Sequence, residues 1–309
     1  PPNNPGEPGW GDTMTDDGYR SHFVTATDGL KLHARDYGDP GLPGPPVVCL
    51  PGLTRTAADF HPLASALARD PLHPRRVLSL DYRGRGLSDY DQNPDNYSVA
   101  VELGDVLTVM AALGALPAVI VGTSRGGLIT MAMAAVKPDA IAGAVLNDIG
   151  PVIEIDGIAR IKTYVGRAGS PPGFAEGAVA LRTKFAGEFP DWTDEDWLAM
   201  AHRTWRQENG HLVPTYDQAI ARALAAFDIS KPLPELWPQF DALANVPVMV
   251  IRGGLSDLLS AATVERMREH HPGIEAIEVP RQGHAPDLAS DDVIARIADF
   301  VTRCVAARG

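Results

Sequence analysis

Short apolar runs without alternation recur along the chain at residues 47–50, 76–80, 118–121, 141–146 and 246–251, and a final strand is predicted at 275–279. Runs of this length, rich in Val, Ile and Leu, predict strands buried on both faces, as in a parallel sheet. Between them the apolar spacing changes to that of helices. Residues 57–69 place Leu63, Ala64 and Leu67 on one side, and 98–113, 128–136, 261–269 and 290–306 behave likewise. Strands alternating with helices predict βαβ units. Upstream, 21–27 and 30–37 roughly alternate apolar and polar about Asp28-Gly29, which predicts a β-hairpin at a sheet edge. Residues 1–20 are rich in Pro, Gly and Asp and read as an irregular arm.

The alternation breaks between 151 and 245. No buried run occurs there, and the helical stretches are rich in Ala, Leu and Trp. Thr193, with Asp196 three residues on, has the pattern of a helix N-terminus, and a further helix is predicted over 216–227. The expected organisation is an α/β core domain made of 21–150 and 246–309, with a helical cap inserted at 151–245.

One strand end carries chemistry. The run 118–121 leads into Gly122-Thr123-Ser124-Arg125-Gly126, followed by the small and apolar residues of a packed helix. A strand that becomes a helix this abruptly needs glycines flanking the apex, because a Cβ there would strike neighbouring backbone. The apex residue, Ser124, is then pushed out above the sheet at a helix N-terminus. A serine hydroxyl is a weak nucleophile until a base accepts its proton. In open α/β sheets, ligands bind beyond the carboxyl ends of the strands, so the base and its partner are sought there. His284 follows the strand at 275–279 and is the expected base. Asp257 follows the strand at 246–251, in a loop whose glycines let a carboxylate turn inward, and is the expected acid orienting His284. Asp148, just past the strand at 141–146, is the alternative acid. The expected oxyanion hole is two backbone N–H groups, those of Arg125 after the nucleophile and Leu53 in the loop after 47–50.

Taken together, Leu50-Pro51-Gly52-Leu53, Asp81-Tyr82-Arg83-Gly84-Arg85-Gly86-Leu87-Ser88, Gly122-Thr123-Ser124-Arg125-Gly126-Gly127, Gly254-Leu255-Ser256-Asp257 and Gly283-His284 resemble the α/β-hydrolase fold superfamily from about residue 21 onward. The resemblance is to a carboxylesterase-like serine hydrolase with a helical cap. It implies an eight-stranded, mostly parallel sheet flanked by helices, a lid after the sixth strand, and ester hydrolysis with no metal or organic cofactor. Pro51-Gly52-Leu53 departs from the His-Gly opening of many relatives. A lactonase, a carbon–carbon bond hydrolase and a cofactor-free perhydrolase would use the same residues. A non-catalytic ligand-binding member would have no need of all three. Asp81, Arg83 and Arg85 read as a structural network supporting the elbow.

Composition narrows the partners. The 309 residues carry a formal net charge of -12, which disfavours nucleic acid or an anionic membrane as partner. No apolar run approaches the ~18 residues of a membrane span. The two cysteines, Cys49 and Cys304, sit in predicted apolar elements, exclude a multi-bridge disulfide framework and fit a cytoplasmic location. No zinc-ligand pattern occurs, and Gly84-x-Gly86 lacks the third glycine of a dinucleotide site. The expected partner is a small ester with an apolar portion, since the cap offers Tyr164, Phe185, Trp192, Trp205, Tyr216 and Phe227 among other aromatics. Arg55, Arg125 and Arg203 are the arginines considered for attracting a substrate carboxylate, against the ordinary role of solvating a face.

Overall fold

The computed structural model describes residues 15–225 and 228–306. Most of the expected N-terminal arm, residues 1–14, therefore lies outside the described residues, as does Phe227. Strands β1 (Arg20–Thr25) and β2 (Lys31–Tyr37) form the predicted hairpin. They are followed by β3 (Val47–Leu50), α1 (His61–Ala68), β4 (Val77–Leu80), α2 (Val99–Ala112), β5 (Ala118–Thr123), α3 (Arg125–Val136) and β6 (Ile141–Asn147). After a long insertion come β9 (Val248–Gly253), α9 (Ala261–His270), β10 (Glu275–Val279) and α10 (Asp291–Ala306).

The eight strands lie in the order β1-β2-β4-β3-β5-β6-β9-β10. Pairing is antiparallel through β2 and β4 and parallel from β4 to β10. This is the fold expected from the sequence. Because side chains alternate across a strand, β3 and β5 feed two cores. Val47, Cys49, Val119 and Val121 pack with Leu63, Leu67, Ile297 and Phe300 of α1 and α10. Val48, Leu50 and Ile120 pack on the opposite face with Leu103, Met110, Ile129 and Met267 of α2, α3 and α9. Both cysteines are buried and free. Among the described residues no helix is long and apolar enough to cross a membrane.

The insertion carries α4 (Ile155–Lys162), α5 (Phe174–Phe185), α6 (Asp194–Thr204), a hairpin of β7 (Trp205–Glu208) and β8 (His211–Pro214), α7 (Ala221–Ala225) and α8 (Trp237–Asp241). Thr193 caps α6, and Asp196 returns the bond in a reciprocal box. The β7–β8 hairpin was not expected from the sequence. Its first strand is largely solvated, so it leaves no buried run. Its signal is the turn dipeptide Asn209-Gly210, both residues at positive φ (48° and 82°). The helix predicted over 216–227 is shorter than expected: a 3-10 turn at Gln218–Ile220 precedes α7. Ala178, Leu181, Phe189, Trp197, Ala201, Trp205 and Leu212 give the insertion a small core of its own.

Candidate active site

Ser124 sits between β5 and α3 at φ 50°, ψ -107°, a conformation that a non-glycine residue adopts only under tertiary constraint. The flanking glycines explain how the turn closes. A Cβ on Gly122 would lie 2.6 Å from the Gly126 carbonyl carbon, and one on Gly126 would lie 2.1 Å from the Leu50 oxygen. The helix begins at Arg125, immediately after the apex, rather than at 128.

Above the apex, Ser124 Oγ is 2.9 Å from His284 Nε2. His284 Nδ1 is in turn 2.8 Å from Asp148 Oδ2. The sequence expectation of Asp257 as the orienting acid is corrected by this geometry. Asp148 is fully buried at the end of β6, with φ 54°, a region that Asp enters more readily than most residues. Its carboxylate also accepts from the Gly253 N–H (2.8 Å) and from Ser256 Oγ (2.6 Å). The loop after β9 thus contributes Ser256 to the site, and Asp257 points away. Asp257 is held in a bidentate pair by Arg160 of α4, at 2.6 and 2.8 Å. Burial alone would raise its pKa, but the Arg160 guanidinium outweighs this and keeps the carboxyl below its ordinary range.

Of the expected oxyanion donors, Leu53 lines one cavity with Gly52, Ser124 and His284, and Arg125 opens α3 directly after Ser124. No hydrogen bond within the described residues takes up the N–H of Leu53 or of Arg125. The Leu53 loop is fixed from below: Arg85 Nε donates to the Leu53 carbonyl at 2.9 Å and Tyr82 Oη to the Pro51 carbonyl at 3.1 Å. Glu102, which the sequence reading missed, joins that loop to the elbow. It pairs with Arg85 at 2.8 Å and with Arg125 at 2.7 Å, all three side chains being buried. Removing Glu102 would leave the buried Arg85 and Arg125 charges unpaired, a defect that costs about 3–5 kcal/mol. Arg125 therefore points inward and does not face a substrate. Asp81 accepts from the Ala57 and Leu87 N–H groups, whereas Arg83 pairs with Asp28, Asp91 and Asp105 on the far side of the loop. Asn147, also unforeseen, donates to the Pro286 carbonyl and steadies the His284 loop.

The cavity has a volume of about 370 Å³. Its floor is Ser124 and His284, and its walls come largely from the insertion, including Tyr164, Phe185, Phe189, Trp192, Trp205 and Tyr216. Other aromatics serve packing instead: Phe174 stacks on His202, Trp197 is buried among its neighbours, and Trp237 stacks on His270. Arg55 and Arg203 do reach the cavity but are neutralised there. Asp59 takes both Arg55 (2.6 Å) and Arg203 (3.1 Å), and Asp287 lies 3.6 Å from Arg203. Among the described residues no group of His, Cys, Asp or Glu is placed to hold a metal ion.

Arg160 also binds Glu188 at 2.9 Å, and the Glu188 carbonyl accepts from the Gly283 N–H at 2.7 Å, next to His284. Burial pushes the Glu188 carboxyl up to about 6, more than Arg160 lowers it. The folded state therefore favours the protonated acid, and this group adds stability as pH falls through about 6, the reverse of an ordinary paired carboxylate. Thermal unfolding across pH checks the sign. Glu188→Gln is expected to exceed the wild type in Tm near pH 8, with the gap closing toward about pH 5. A gap independent of pH would contradict it.

Residues 47–297 match the model of the alpha/beta hydrolase family. The chain belongs to that family. The matched span contains Ser124, Asp148 and His284. An alpha/beta hydrolase of Novosphingobium aromaticivorans superposes with a TM-score of 0.85 at 42% identity, over 92% of this chain and 98% of that one. Among curated relatives, the 3-hydroxybutyrate-oligomer hydrolase of Cupriavidus necator is 32% identical over 92% of this chain and 98% of its own length. The 2-(acetamidomethylene)succinate hydrolase of Mesorhizobium japonicum is 26% identical over 88% of this chain and 92% of its own. These alpha/beta hydrolase relatives are hydrolases that span nearly the whole chain.

Proposed function

We propose that this alpha/beta hydrolase cleaves carboxylic esters through an acyl-serine intermediate. The observation that carries the reading is the unbroken hydrogen-bonded line from Ser124 Oγ through His284 to Asp148 at the floor of an apolar cavity. In the first half-reaction Ser124 Oγ attacks the ester carbonyl as His284 Nε2 takes its proton. Negative charge on the carbonyl oxygen is received by the Leu53 and Arg125 N–H groups. Collapse breaks the ester C–O bond, and His284 returns the proton to the departing alcohol. Water then attacks the acyl-serine with His284 again as base, releasing the acid and restoring Ser124. Throughout, Asp148 holds the imidazole with Nε2 toward Ser124 and stabilises its cationic form.

The insertion, residues 151–245, acts in this reading as a cap that excludes water from the acyl-enzyme and sizes the substrate. An ester substrate is further supported by the relative named for 3-hydroxybutyrate oligomers, whose repeating units are joined by ester bonds. Turnover of a chain-length series of 4-nitrophenyl esters tests the reading. A maximum at one acyl length is expected, because a cavity of about 370 Å³ lies near the small end of ligand pockets. Absence of turnover from folded protein across the whole series would contradict ester hydrolysis.

A further inference from the structure

The cavity is richer in positive than in negative side chains, although the whole chain carries a formal net charge of -12. Arg55, Arg167, Lys184 and Arg203 line it, against Asp59 and Asp287. Asp59 and Asp287 are engaged by Arg55 and Arg203, as described above. The other two cations are left over. Among the described residues neither Arg167 nor Lys184 forms an ion pair. Arg167 Nη1 reaches only the Thr163 carbonyl, at 3.4 Å. Lys184 Nζ stands 4.6 Å from the Tyr164 ring centroid and 5.5 Å from that of Phe185, faces that attract a cation without neutralising it.

These two groups come from separate elements, Lys184 from α5 and Arg167 from the turn after α4; both residues are exposed, and both line the cavity. Partial burial of the Lys184 ammonium and the Arg167 charge both hold it below its ordinary pKa. Like charges lining one cavity repel, and an anion held by both relieves that repulsion. An entirely apolar acyl chain would leave both charges without a counter-ion.

We infer that Arg167 and Lys184 form a carboxylate subsite, so that the preferred substrate is a small ester whose end remote from the scissile carbonyl carries a free carboxylate. The inference rests on the ester-hydrolase reading for the word ester, while the anion subsite stands on the cavity's charges. Its consequence is selectivity between two esters of equal length that differ only in a terminal charge.

Two measurements, one without turnover, test it. In the Ser124→Ala protein, calorimetry compares hexanoate with hexanamide, its uncharged counterpart. Hexanoate is expected to bind about three- to fivefold more tightly. In the double variant Lys184→Met/Arg167→Met the preference should collapse toward parity, while Lys184→Arg alone should retain it. With Ser124 present, the mono-4-nitrophenyl ester of adipate should exceed its neutral methyl-ended analogue in kcat/KM by a similar factor, mostly through KM, and added salt should erode the advantage.

Parity in the wild type, or a preference undiminished in the double variant, overturns the subsite. The latter result would place the carboxylate against His284 or the oxyanion donors instead. Hexanoate selectivity without any ester turnover would overturn the reading of the reaction and leave the subsite standing. Turnover without selectivity would do the reverse.

Discussion

Ser124→Ala is expected to lower kcat for ester hydrolysis by about five to six orders of magnitude, the loss typical when the nucleophile of a cooperating triad is removed. The substitution deletes only Oγ, whose hydrogen bond is to His284, and leaves Cβ and the backbone turn in place. Alanine meets the same steric demands at φ 50°, so the folded state should survive. Residual turnover is expected from the oxyanion donors and the cavity alone. Turnover and chemical unfolding measured on one preparation check both halves of the expectation. Activity within tenfold of wild type, in a preparation free of contaminating esterase, would remove Ser124 from the mechanism.

Asp148→Asn is expected to cost about 10⁴-fold in kcat, and Asp257→Asn less than about tenfold. The asymmetry follows from what each carboxylate holds. Asp148 accepts from the Gly253 N–H, Ser256 Oγ and His284 Nδ1, and its surroundings offer donors. An amide there must turn its NH₂ toward one of them. If it faces His284, Nδ1 must become the acceptor, leaving Nε2 protonated and unable to take the serine proton. Asp257 closes an ion pair with Arg160, which keeps Glu188 as a second partner when Asp257 is neutralised. Its loss should therefore loosen the contact between α4 and the loop after β9 more than it impairs chemistry. Parallel kcat measurements on the two variants settle the ranking, and equal losses would contradict the assignment of Asp148.

The elements that proved easiest to read were those whose burial left a local mark. The strands β3, β4, β5, β6 and β9 are apolar runs because both faces are covered, whereas the edge strand β10 is only half-buried, and Gly122 and Gly126 stand where any Cβ would strike backbone. The choice between Asp148 and Asp257 had no such mark. Each follows a strand end, on the neighbouring strands β6 and β9. What separates them is loop direction: the chain after β9 presents Ser256 to the site and turns Asp257 to Arg160, a partner 97 residues away in sequence. A clue was present at Asp148, since a strand ending directly in Asp permits the left-handed turn it adopts. Glu102 was hidden because a glutamate on an amphipathic helix normally faces water, and only its pairing with Arg85 and Arg125 makes its burial tolerable. The β7–β8 hairpin leaves no buried run because its first strand is largely solvated, and its one local mark is the Asn209-Gly210 turn.

Ser124 as the nucleophile is tested most directly by stoichiometric labelling with a fluorophosphonate, followed by peptide mapping by mass spectrometry. One label per chain is expected, on the peptide bearing Ser124, with ester turnover lost in proportion and no label on Ser124→Ala. Labelling of another residue, or turnover that persists on fully labelled protein, would contradict it.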